Sequence, residues 1–208
     1  ETLLAQWVEA VAGSPSLLIV NFRPEFRAEW MQKSYYRQLP LAPLGGEAIR
    51  ALLGDLLGAD PSTQTLADTI YAHTGGNPFF TEQVVQMLTE SGQPQGVRGG
   101  YRLVTSVERL PVPPSVQALL AARIDRLGDR EKQVLQTAAV IGKEFAEPIP
   151  RQVLAATAQA PQAEAELAGA LDALKTREFV YETSLYPVAV YAFKHPLIQE
   201  VTYESLLH

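Results

Sequence analysis

Three places in the chain combine residue types and surroundings that could handle a phosphorylated, flat ligand. Arg23 stands in Asn21-Phe22-Arg23-Pro24, directly after the apolar run Leu17-Leu18-Ile19-Val20. A guanidinium just beyond a buried strand can reach a terminal phosphate and report whether it is present. An ion pair with Glu25 or Glu29 is the plainer use of the same residue. In Thr74-Gly75-Gly76-Asn77-Pro78-Phe79-Phe80, two glycines release the backbone from one helix and Pro78 opens the next. Such a joint fixes an interhelical angle and leaves a proline ring and open backbone as a wall for a planar base, although glycine and proline build ordinary helix corners too. His195, in Phe193-Lys194-His195-Pro196, sits between a strand pattern and a helix pattern. It can donate to a phosphate oxygen, or simply cap the helix.

Other familiar chemistries find no support. Gly142-Lys143 imitates a phosphate-binding loop, but Thr137 stands at the first glycine position and Glu144 replaces the required hydroxyl. No acidic pair follows a strand as a magnesium site would need. A hydrolase elbow Gly-x-Ser-x-Gly is absent. The three histidines, His73, His195 and His208, share no local zinc-binding spacing. His73 closes a helix pattern, where a cation is favourable. With no cysteine, disulfides, thiolate ligands and cysteine nucleophiles are ruled out.

The elements that must position these residues follow from periodicity. A helix is expected over Leu3, Leu4, Trp7, Val8 and Val11, ending at Gly13-Ser14-Pro15. The run 17–20 has the pattern of a parallel strand buried on both faces, and 36–41 reads as a second short strand. Three helices are expected between Glu47 and Ser91, with apolar sets Ile49/Leu52/Leu53/Leu56/Leu57, Leu66/Ile70/Tyr71 and Phe80/Val84/Val85/Leu88. A glycine-rich connection, 92–100, leads to a short strand at 101–104. Pro111, Pro113 and Pro114 precede a helix capped near Ser115, and a further helix starts at Asp129 with Val134, Leu135, Ala138 and Ala139 inward. Helical patterns at about 149–158 and 162–175 then precede two short strands, 179–182 and 188–193, and a last helix from Pro196 to Leu207. Three helices followed by two strands joined by a turn spell a winged helix.

Composition sets the frame. The 208 residues are 47% hydrophobic and 19% charged, as in a folded domain. A formal net charge of −6 gives no overall field that would attract nucleic acid or anionic lipid. No apolar run approaches the roughly 20 residues of a membrane span. No signal peptide is visible, and cytoplasmic localisation is expected. The opening Glu-Thr-Leu-Leu lacks an initiator Met, as expected of a piece of a longer protein.

Taken together, LLIVNFRPE (17–25), QLPLAPL (38–44), TGGNPFF (74–80), QTAAVIGKEF (136–145) and FKHPLIQEVTY (193–203) resemble one family. It is the AAA-type regulatory ATPase module of the STAND class that follows class III adenylate/guanylate cyclase domains in large bacterial signalling proteins. The resemblance implies a mainly α chain with small β elements. It would comprise the remnant of a parallel α/β nucleotide-binding domain (1–45), a helical lid (46–127) and a winged helix (128–208). It further implies that Arg23 is a sensor arginine, that Gly76 and Pro78 pack near adenine, and that His195 contacts a phosphate of bound ADP. ATP or ADP with magnesium would be the cofactor of the intact protein. Its partners would be an upstream phosphate-loop half, a downstream helical-repeat sensor and a cyclase or other effector. The loop and magnesium strand have no counterpart here, so no activity is expected of these residues alone. A winged-helix DNA-binding regulator is the alternative of another class, and a structural helical linker a third. Against DNA binding, the 162–175 helix carries Glu164, Glu166 and Asp172 opposite only Lys175.

Overall fold

A computed structural model describes residues 2–23, 25–64, 66–103, 112–155 and 160–206. The expected strand end at Val104, the Pro111 stop and His208 lie outside them. The chain is mainly helical, with two small antiparallel sheets among the described residues, and divides into two units, Glu1–Ala42 and Pro43–His208.

The first unit holds helix α1 (Thr2–Val11) and a 3-10 turn at Glu29–Gln32. Phe22, Phe26, Trp30 and Tyr36 form a chain of tilted and edge-on ring contacts around the buried Trp30. Lys33 pairs with Glu9 at 2.6 Å, and the Tyr35 hydroxyl donates to the Val8 carbonyl at 3.4 Å, tying this cluster to α1. The two strands expected here do not form. Segments 17–20 and 36–41 have no ladder partner among the described residues. Leu17, Ile19, Leu39 and Leu41 are 84%, 81%, 85% and 90% exposed. An extended segment becomes a strand only when a neighbour takes its N–H and C=O groups and a layer covers its face. Neither partner is found among the described residues, so the expectation of buried parallel strands is corrected.

The second unit follows the helical periodicity closely. Helices α2 (Gly46–Leu57), the short α3 (Pro61–Gln64), α4 (Leu66–Thr74) and α5 (Pro78–Glu90) come first. Ile49, Leu53 and Leu57 of α2, Leu66 and Ile70 of α4, and Phe80, Val84 and Leu88 of α5 build one core. Tyr71, expected inward, is exposed because it falls off that stripe. The glycine-rich connection carries a two-residue hairpin, β1 (Pro94–Gln95) against β2 (Arg102–Leu103). Helix α6 (Val116–Asp125) starts at Ser115, whose hydroxyl accepts the Ala118 N–H at 3.2 Å.

Helices α7 (Asp129–Ile141), α8 (Pro148–Ala155), α9 (Ala160–Thr176) and α10 (Pro196–Glu204) surround a sheet of β3 (Glu144–Ala146), β4 (Val180–Ser184) and β5 (Val190–Phe193). The order is β3-β5-β4, all antiparallel. Strand β3 has no counterpart in the sequence pattern: three residues between a glycine and a proline-rich helix carry too little alternation to register. Leu167, Leu171 and Leu174 of α9 close the second core with Val134, Leu135 and Ala138 of α7 and Phe145 of β3. Helix α6 serves both cores. Its Leu119 belongs to the first and its Leu120 and Ile124 to the second, as adjacent positions about 100° apart on a helix must face different ways.

Candidate functional site

The corner at 74–80 is built around two consecutive residues with positive φ, Gly75 at 58° and Gly76 at 78°. Gly76 is also pressed against the chain entering α2: the Leu44 N–H donates to its carbonyl at 2.8 Å. A Cβ there would lie 2.1 Å from the Leu44 carbonyl oxygen. Only glycine satisfies both constraints. Asn77 then caps α5, its side-chain oxygen accepting the Phe80 N–H at 3.0 Å, and Pro78 occupies the first helical turn, exposed. Thr81 fastens the corner from within, its hydroxyl donating to the Asn77 carbonyl and pairing with the Thr74 hydroxyl.

His195 ends the β5 segment in an extended conformation and is the N-cap of α10. Its Nδ1 accepts the Leu197 N–H at 3.1 Å, which puts the proton of the neutral ring on Nε2. Burial holds its pKa below the ordinary 6.5, so the ring is neutral at pH 7. One face of the imidazole stacks on Phe79, with ring centres 3.9 Å apart and planes 15° from parallel. Phe79 directly follows Pro78. The fold thereby joins the glycine–proline corner of the first core to the histidine of the second, and leaves a neutral Nε2–H at the junction.

Arg23 belongs to the first unit and is exposed. Its carbonyl accepts the Phe26 N–H, and its side chain pairs with neither Glu25 nor Glu29 among the described residues. The plainer use of Arg23 as a local ion pair is therefore not made. His73 donates from Nδ1 to the Thr69 carbonyl one turn back in α4. Gly142 ends α7 and the Lys143 carbonyl accepts the Phe193 N–H, so this pair is a helix-to-strand joint. No group of three or more His, Asp or Glu that could hold a metal ion occurs among the described residues.

A second junction between the two cores escapes a reading of the sequence. Arg123, in the inward row of α6, is 1% exposed. Its guanidinium pairs with Glu90 at 2.5 and 3.0 Å, donates to Gln83 and to the Arg177 carbonyl at 2.7 Å, and lies 4.6 Å over the Phe179 ring. The charge is thus balanced and its donors taken up, which is what burying an arginine demands. The available signal is an arginine interrupting the apolar stripe Leu119-Leu120-Ile124-Leu127, since a charge on such a stripe requires a partner.

On α9, Glu166 pairs with Arg130 of α7, and Asp172 with Lys175 at 2.8 Å. The side chain of Glu164 lies outside the described ones. No helix among the described residues is long and apolar enough to cross a membrane.

Comparison with known proteins adds a relative. An uncharacterized protein of Rhizobium meliloti (strain 1021) is 28% identical over 217 residues, covering 99% of this chain. The chain spans 19% of that protein's length. No family model matches the sequence, and no solved structure matches it.

Proposed function

We propose that these residues form part of a nucleotide-state switch of the STAND regulatory ATPase type. The single observation carrying this reading is the Phe79–His195 stack, which brings the glycine–proline corner and the junction histidine to one place. In the proposal, residues 46–127 are the lid and 128–208 a winged helix. The order helix, strand, two helices, then two strands in the sheet sequence β3-β5-β4 supports the latter. Pro78 would face the base, and Nε2–H of His195 would donate to a phosphate oxygen of ADP while Nδ1 stays engaged with Leu197. The ring is neutral but the phosphate oxygen is anionic, so that bond is charge-assisted and worth about 1.5–3 kcal/mol. Loss of the contact would loosen one core from the other, and the attached effector, a nucleotide cyclase in this reading, would sense the change.

Arg23 would act at the terminal phosphate from the nucleotide-binding domain, of which residues 1–45 are the proposed remnant. The reading assigns neither a magnesium site nor a phosphate cradle to these residues. DNA recognition is disfavoured by the acidic, internally paired face of α9. In the intact protein, His195→Ala should weaken ADP binding roughly tenfold or more and shift output toward the ATP-bound state. Arg23→Ala should weaken ATP more than ADP. Unchanged affinities for both nucleotides in both variants, measured by calorimetry, would reduce His195 to a helix cap. Saturable, salt-dependent duplex binding would favour the DNA-binding alternative.

A further inference from the structure

Helix α9 ends in a motif that normally calls for glycine. The Phe179 N–H bonds to the Leu174 carbonyl and the Glu178 N–H to the Lys175 carbonyl, each at 2.9 Å, the paired bonds of a Schellman cap. The residue that must then turn left-handed is Glu178, at φ 57°, and it is the one non-glycine residue with positive φ among those described. A carboxylate in this position carries a backbone cost that glycine would not. Anchors on both sides hold it there: Arg123 grips the Arg177 carbonyl, and Phe179 is buried beneath the same guanidinium.

Glu178 lines a cleft of about 150 Å³ between the two cores. Glu82 and Val85 of α5 and Arg98 and Tyr101 of the hairpin region line it from one side, and Glu178 and Lys194 from the other. The Lys194 N–H donates to the Phe179 carbonyl at 2.9 Å, which fixes Lys194 beside the turn that carries Glu178. Two half-buried carboxylates, Glu82 and Glu178, and two exposed cations, Arg98 and Lys194, thus rim one open cleft, and none of the four makes an ion pair among the described residues. An open cleft of this size, rimmed by unpaired charges of both signs, fits a compact ligand that carries both signs itself.

We propose that this cleft binds a small zwitterion of free α-amino acid type. Its carboxylate meets Lys194 and Arg98, and its ammonium group meets Glu178 and Glu82. Because the lining comes from both cores, the bound ligand ties them together at a place distinct from the Phe79–His195 stack. This site stands independently of the nucleotide reading.

The test is thermal unfolding and calorimetry with the common free α-amino acids, each alone, and with acetate and methylammonium as half-ligands. At least one amino acid should bind saturably and raise the melting temperature by roughly 5 °C at concentrations far above its Kd. Neither half-ligand should do so. Lys194→Met should lower affinity roughly tenfold or more, as loss of a charge-assisted hydrogen bond does. Glu178→Gly is the sharper variant: relief of the left-handed residue should raise the melting temperature of the free protein while binding is lost. Absence of saturable binding by any amino acid, equal binding of acetate, or a Glu178→Gly variant that binds like the parent would each overturn the proposal.

Discussion

Segment 17–41 and helices α2 to α5 are similarly rich in aliphatic residues, yet they meet different fates. In the helices, Ile49, Leu57, Leu66, Ile70, Val84 and Leu88 are wholly buried. In the extended segment, Leu17, Ile19, Leu39 and Leu41 stand largely in the open. A helix satisfies its own backbone and needs only a neighbour for one stripe, and that neighbour is usually the next helix in sequence. A strand needs lateral hydrogen-bond partners and a covered face; β4 finds its partner in β5 a short turn away, whereas 17–20 and 36–41 have none among the described residues. Apolar composition is therefore no measure of burial. The kind of element decides whether nearby sequence can complete it.

The largest expected effect lies in the region where packing is complete. Arg123→Met would strand Glu90 without its partner, and a loss of about 3–5 kcal/mol is expected in denaturant unfolding. A change under about 1 kcal/mol would mean that the two cores do not depend on this junction. Gly76→Ala should cost about 2–3 kcal/mol, because the new methyl meets the Leu44 carbonyl and the backbone is left-handed. Gly13→Ala, at a glycine with open space around it, is the control and should be nearly neutral.

At His195 the effect is smaller and depends on pH. Its pKa is lower folded than unfolded, so the unfolded chain takes up the proton first as pH falls. The contribution of the neutral ring should be intact above about pH 6.5 and decline below it. His195→Asn, which keeps a capping oxygen, should flatten that decline, whereas His195→Ala should also lose about 1 kcal/mol of capping at neutral pH. Melting curves across roughly pH 5–8 separate the two; parallel curves for parent and Asn variant would count against a titrating His195.

The smallest effect belongs to the extended segment. Leu17→Ser and Leu39→Ser should each change stability by less than about 0.5 kcal/mol in this chain. A cost of about 2 kcal/mol or more would show that these side chains are covered in solution, and the contrast drawn between the two regions would fail.

The helices of the second unit are legible in detail. The inward sets at 49–57, 66–70, 80–88 and 134–139 come from a helical period of about 3.6 residues, and the caps at Asn77 and Ser115 from side chains that bond the first turn. The corner at 74–80 is readable as a helix joint, because Gly-Gly ends one helix and Asn-Pro opens the next. Illegible are β3, whose three residues take their register from β5 far along the chain, and the Arg123 junction, whose partners lie 33 to 54 residues away.

What is local is written along the chain: helix bounds, caps, stripes and the glycine corner are each set by interactions within a few residues. Packing between distant segments lays Phe79 flat on His195, makes α6 serve two cores, buries Arg123 with its charge answered, and holds Glu178 left-handed at the edge of a cleft. Those outcomes depend on which surfaces meet across long chain separations. Burial, charge pairing and ring stacking are properties of such meetings, and no spacing along a single segment encodes them.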